Sequence, residues 1–311
     1  MFVRGESITI ATIKSVRTFL PVICLSLALS NTTSGAIVDS SRRFSRIVDT
    51  YAVYSPDGAQ VAFESYRIGS QCDIYVMDSL ARNVLRLTTN PGIDETPAWS
   101  ADGRKILFAS DRDSSLDIFV MNADGSNQTN LTRSKASRDI HPFWSPDGSK
   151  IIFNSKPDSA TCLNIFVMNA DGSNVIGLRT DSTDNSYASW SPNGRQIVFR
   201  RAMDSINSDI FVMNDDGSGL RNLTSHPAFD GWPSWSPDGQ TILFASDRTV
   251  SKNIFSIDLS GTNLTQLTLY GNGEEGADAP FYSPSSAIVL YNYCHDRNCE
   301  IVRLYLSPNR P

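Results

Sequence analysis

One four-residue phrase constrains this chain more than any other feature. It reads Ser55-Pro56-Asp57-Gly58, Ser100-Ala101-Asp102-Gly103, Ser145-Pro146-Asp147-Gly148, Ser191-Pro192-Asn193-Gly194 and Ser236-Pro237-Asp238-Gly239, and decays to Ser283-Pro284-Ser285-Ser286. The serines are 45, 45, 46, 45 and 47 residues apart. A fixed period of this size marks an array of supersecondary units that cannot fold singly.

Each unit has the same four parts. An aromatic run leads into the phrase, as in Pro97-Ala98-Trp99. Five residues past the turn glycine stands Phe63, Phe108, Phe153, Phe199, Phe244 or, in the last unit, Tyr291. Then comes Asp-Ile-aromatic-Val-Met, as in Asp117-Ile118-Phe119-Val120-Met121, and finally a Leu-Thr ending such as Leu131-Thr132. The parts are short, rich in β-branched and aromatic residues, and bounded by Gly, Pro, Asp and Asn, which is the signature of strands. In the phrase, proline presets φ at the first corner and glycine accepts positive φ. Asn122-Ala123-Asp124-Gly125, Asn169-Ala170-Asp171-Gly172 and Asn214-Asp215-Asp216-Gly217 read as a second set of hairpin turns, not as calcium loops.

Six four-stranded units that bury one another's faces form a six-bladed β-propeller, an all-β fold of antiparallel blades. The expected repeats are 49–93, 94–138, 139–184, 185–229, 230–276 and 277–311. The last has room for three strands only. Residues 43–48 resemble the ending that precedes every other repeat and are expected to complete the sixth blade.

The first 36 residues do not fit the repeat. Lys14 and Arg17 precede an apolar run from Phe19 to Leu29, and small residues follow up to Ala36. This pattern predicts a signal peptide over 1–36, a propeller over 37–311, and a periplasmic or secreted destination. The run is too short for a transmembrane span. Cys24 offers a lipidation alternative, but Pro21-Val22-Ile23-Cys24 lacks the usual small residues. Without Arg4, Lys14, Arg17 and Glu6 the chain holds 24 basic against 32 acidic side chains, a net charge of -8. That argues against nucleic acid or an anionic membrane as partner. Cys294 and Cys299 flank a hairpin and read either as a disulfide or as two free thiols, whereas Cys72 and Cys162 lie in blades that do not touch.

The phrase pattern resembles the propeller repeat of TolB, a periplasmic component of the bacterial Tol–Pal system, over residues 43–306. TolB also carries an α/β domain ahead of its propeller, for which this sequence has no counterpart, so the resemblance is to a TolB-like propeller. It implies a protein or peptide partner at the channel mouth, an envelope component in the TolB case, and a monomeric scaffold. Similar repeats precede the hydrolase domain of prolyl oligopeptidase-type peptidases. This chain has no Gly-x-Ser-x-Gly elbow, so no catalytic residue is assigned.

Candidate binding residues follow from register. Six residues before each turn serine stand Asp49, Asp94, Asp139, Asn185 and Asp230. In the last blade the slot is Ala277, with Asp278 beside it. Circling one mouth, these side chains would hold a basic group or a hydrated cation through oxygen ligands, or would cap their own loops through backbone N–H groups. No Cys/His metal cluster and no organic cofactor is expected. His141 and Trp232 lie two residues past the slot and either face the opening or pack against a neighbouring blade. Arg67, Arg112 and Arg248 recur nine residues after the turn glycine and read as structural ion pairs. The leading function is a non-catalytic extracytoplasmic binding scaffold. The alternatives are a secreted saccharide lyase or hydrolase, and a sensor domain.

Overall fold

The computed structural model describes residues 37–38, 48–68, 71–295 and 298–306. They form six four-stranded antiparallel sheets. The first is typical: strand a Asp49–Tyr54, strand b Gln60–Ser65, strand c Asp73–Asp78 and strand d Leu85–Arg86, each paired to the next. The expected signal peptide lies outside the described residues. No helix among the described residues is long and apolar enough to cross a membrane.

The phrase forms the a–b turn. In blade one the Gly58 N–H donates to Ser55 O at 2.8 Å, and the Ser55 hydroxyl donates to Asp57 Oδ1 at 2.6 Å. Gly58 has φ +70°, a conformation that L side chains adopt only with strain. The same serine–aspartate bond measures 2.6 Å in blades two, three and five.

The core runs through the seams between blades. Val53, Ala62, Ile74 and Val76 of blade one pack with Ile106, Phe108, Phe119 and Met121 of blade two. The closing seam sets Ala52, Val61, Phe63, Tyr75 and Met77 of blade one against Leu290 and Ile301 of blade six. The six aromatics five residues past the turn are all fully buried. A lone blade would expose two apolar faces, so only the ring satisfies the pattern.

The sixth blade takes its outer strand from the N-terminal side, at a different place from that expected. Ile37–Val38 pairs antiparallel with Leu304 and Tyr305. Of the expected segment 43–48, residues 43–47 lie outside the described residues. Cys294 and Cys299 face each other across the b–c hairpin of this blade, Cα atoms 4.1 Å apart, with their sulfurs joined. Cys72 and Cys162 are free.

The a–b turns also interlock around the ring. Pro284 sits beside Gly58, Pro56 beside Gly103, Pro146 beside Gly194 and Pro192 beside Gly239. Blade two breaks the series with Ala101, and nothing lies within 4 Å of the Cβ position of Gly148. Ala101→Pro should therefore stabilise the protein by about 0.4–1 kcal/mol, partly through the unfolded chain, because five sister turns already hold proline at this place. Chemical denaturation of the two chains checks this; a destabilised variant would show that blade two does not share the turn geometry of its sisters.

Candidate functional site

Every strand a carries a bulge. The register slips between Thr50 and Val53, Glu95 and Ala98, Ile140 and Phe143, Ser186 and Ser189, Gly231 and Ser234, and Asp278 and Phe281. The residue two past the slot sits there at positive φ: Tyr51 50°, Thr96 55°, His141 51°, Tyr187 57°, Trp232 52° and Ala279 45°. Such angles are uncommon for side chains of this bulk and cost about 1–3 kcal/mol each. Since all six blades accept the strain, the bend belongs to the blade. What distinguishes the site is which side chains it carries.

Four of the six are aromatic or imidazole, and they meet on the axis. Trp232 Nε1 donates to Tyr51 Oη at 2.8 Å, and Tyr51 Oη lies 3.1 Å from Tyr187 Oη. Tyr51 belongs to blade one and Tyr187 to blade four, so the contact crosses the ring. The His141 and Tyr187 ring centroids are 4.0 Å apart, and those of Tyr187 and Trp232 5.7 Å. With Thr96, Phe143 and Phe281 they line a cavity of about 60 Å³.

Burial sets the charge state of this cluster. It pushes the Tyr51 hydroxyl well above its usual range and raises that of Tyr187. It drives His141 down to about 3, against the opposing hydrogen bond that its Nδ1 makes to Asn154 Oδ1. The imidazole is therefore neutral at physiological pH and a poor proton acceptor.

The backbone N–H of the bent residue needs an acceptor, and the preceding blade supplies it in three seams. Asn292 Oδ1 accepts from Tyr51 N at 3.2 Å, Glu64 Oε2 from Thr96 N at 2.8 Å, and Asn154 Oδ1 from Tyr187 N at 2.8 Å. Asn154 Oδ1 also lies 3.3 Å from His141 Nδ1. The corresponding residue of blade four is Arg200, which cannot accept.

The slot residues do not ring the opening as free carboxylates. Asp49, Asp94 and Asp230 are buried, and Arg67, Arg112 and Arg248 respectively donate to them at 2.8–2.9 Å. Asp139, whose blade has Pro157 in place of the arginine, accepts from Ser155 at 2.6 Å and Ser137 at 2.9 Å, and burial raises its carboxyl. Asn185 accepts from Arg201 at 2.9 Å. Asp278 has no arginine partner among the described residues; burial raises its carboxyl, Asn292 donates to it at 2.9 Å, and Lys252 Nζ lies 3.9 Å away. Backbone capping of the inter-blade loops falls to the aspartates that open strand c: Asp117 accepts from Ser134 N and Asp209 from His226 N. Among the described residues no three His, Cys, Asp or Glu side chains lie within reach of one ion.

The structure thus brings His141 and Trp232 together at the opening and sends most slot residues inward. Sequence reasoning passed over Tyr51 and Tyr187, although the offset that marked His141 and Trp232 marks them as well. It also passed over Glu64, Asn154, Asn292 and Arg200, whose common place on strand b is hidden by their chemical variety.

The chain is thus a six-bladed β-propeller with a cluster of aromatic side chains joined across its ring. The chain belongs to the TolB β-propeller family, whose domain model matches residues 40–204 and 202–309. Among solved structures it is similar to a putative TolB from Agrobacterium tumefaciens, at 27% identity over 60% of this chain and 69% of that one, TM-score 0.51. TolB from Acinetobacter baumannii matches at 18% identity over 85% of this chain and 56% of that one, TM-score 0.56. An oligogalacturonate lyase from Vibrio parahaemolyticus matches at 13% identity over 88% and 96%, TM-score 0.57, a likeness of fold alone.

Proposed function

We propose that this protein is a non-catalytic binding scaffold, exported by a leader within its first 36 residues, that receives a protein partner at the channel mouth. The observation that carries this reading is the axial cluster of Tyr51, Tyr187 and Trp232, set at positive φ on three blades and joined by hydrogen bonds. Rigid aromatics with one polar atom each are the usual anchors of protein recognition. A catalytic reading is less well supported. Among the described residues the slot acids are bound to arginine or serine, Asp278 accepts from Asn292 with Lys252 beside it, and His141 is a weak base.

The test uses the full chain as bait in envelope extract, with Trp232→Ala and Tyr187→Ala as controls and mass spectrometry to identify the captured protein. Loss of an anchor of about 2 kcal/mol predicts roughly 30-fold weaker capture by each folded variant. A partner held equally by all three baits would move the docking surface away from the axis. Formation of unsaturated product from polygalacturonate would reject the non-catalytic reading.

A further inference from the structure

Arg200 stands apart from the other cations at the mouth. It lies on strand b of blade four, Gln196–Ala202, opposite Ser186. Its Nη1 donates to Ser186 Oγ at 3.2 Å, and its guanidinium sits 5.1 Å from the Phe229 ring centroid. Nε is buried and has no hydrogen-bond partner, and among the described residues no carboxylate forms an ion pair with this arginine. By contrast, Arg67, Arg112 and Arg248 each hold a buried aspartate.

The surroundings of Arg200 form a defined arrangement. A Cβ on Gly231 would fall 2.5 Å from the Phe229 ring and 3.5 Å from Arg200 Cδ, so glycine lets ring and arginine stem lie together. Lys252 Nζ approaches the same Phe229 ring at 5.3 Å and Trp232 at 4.6 Å. Two cations thus flank the aromatic corner of blade five, and Asp278 offsets only one of them, at 3.9 Å.

The neighbouring loops each expose an aliphatic side chain among polar ones. Met203 and Ile206 lie between strands b and c of blade four, Val250 at the same place in blade five, and Leu269 on the connection into blade six. Ile206, Val250 and Leu269 are each about four-fifths exposed (81%, 78% and 83%). All these loops open on the face where strand a begins. Aliphatic side chains offer nothing to sugar hydroxyls but suit the flanks of a peptide.

We propose that the mouth over blades four and five docks a protein segment in which a carboxylate is flanked by aliphatic residues. Arg200 and Lys252 receive the carboxylate, and Met203, Ile206 and Val250 receive the flanks. This rests on the scaffold reading above and names the chemistry of its partner.

The test is fluorescence polarisation on the full chain with labelled, C-terminally amidated Leu-Glu-Val-Glu-Leu against Leu-Gln-Val-Gln-Leu. A charge-assisted pair predicts at least about tenfold preference for the glutamate peptide. Arg200→Met and Lys252→Met should each bring the preference below about threefold. Lys252, one-third exposed, carries the test if Arg200→Met fails to fold by circular dichroism. Equal affinity for the two peptides, no binding of either at about 1 mM, or a preference unchanged in the variants overturns the proposal. So does Arg200-dependent binding of trigalacturonate without peptide binding, which would make the anion site a saccharide site. A captured partner lost by Trp232→Ala but kept by Arg200→Met would leave the scaffold reading standing and remove this one. A partner kept by both would remove the mouth altogether.

Discussion

Glu64→Gln should stabilise the protein at pH 8 by up to about 3 kcal/mol and flatten its stability between pH 4.5 and 7. Glu64 is 6% exposed. Its Oε1 accepts from the Thr50 hydroxyl at 2.7 Å and its Oε2 from Thr96 N at 2.8 Å. Burial pushes its carboxyl up from 4.5 to about 7, against the pull of those two hydrogen bonds, and nearby Glu95 adds to the rise. From pH 4.5 to about 7 the unfolded carboxyl has lost its proton while the folded one retains it. Raising the pH through that window therefore favours unfolding, and the stability present below 4.5 is gone above 7. At about 1.4 kcal/mol per unit, the displacement corresponds to roughly 3 kcal/mol. Glutamine keeps an acceptor for Thr96 N and carries no charge, much as Asn154 and Asn292 serve Tyr187 and Tyr51 in their own seams. Asp139 and Asp278 are also raised and tilt the profile of both chains alike, so the difference between the chains reads Glu64 together with its coupling to Glu95. Urea denaturation of both proteins at pH 5 and pH 8 measures it. Parallel profiles would mean that Glu64 is solvated or partnered differently in solution.

Arg248→Ala should cost about 3–5 kcal/mol at pH 7, because it strands a carboxylate in the interior. Arg248 Nη2 donates to both oxygens of Asp230 at 2.9 and 2.8 Å, and its Nε donates to Ser246 Oγ at 2.8 Å. The guanidinium also lies 5.3 Å from the Phe244 centroid and 5.0 Å from that of Phe255. Asp230 is 0% exposed, so water cannot replace the lost donor. Arg67 with Asp49 and Arg112 with Asp94 repeat the arrangement, serine and aromatic partners included. Blade four fills the slot with neutral Asn185, so the fold tolerates an amide there. Asp230→Asn in the Arg248→Ala background should accordingly recover most of the loss. Equilibrium unfolding of the two variants decides the matter. A single variant within about 1 kcal/mol of the parent would show that Asp230 is not sealed from water.

The fold was legible because the repeat writes the same local chemistry six times. Ser-Pro-Asp-Gly dictates a turn, the buried aromatic dictates a seam, and neither depends on distant residues. The fourth strand of blade six was less legible, since pairing of Ile37–Val38 with Leu304 and Tyr305 depends on ring closure. Of the site, register alone gave the positions of His141 and Trp232. It could not tell which way a carboxylate points. Asp49, Asp94 and Asp230 share one place in the repeat with Asp139, and whether each faces an arginine or a serine depends on a residue eighteen positions later. The contact of Tyr51 with Tyr187 joins residues 136 apart across opposite blades, and no local pattern encodes it.

That contact has a topological consequence. With Tyr51 and Tyr187 touching across the ring, and Trp232 and His141 beside them, the ring is a wheel with a hub. The cavity beside them runs past Val53, Ala98, Phe143, Ser189 and Phe281 toward the Ser-Pro turns, so the hub forms its inner end. A ligand entering from the Ser-Pro side would meet the aromatic rings at its end.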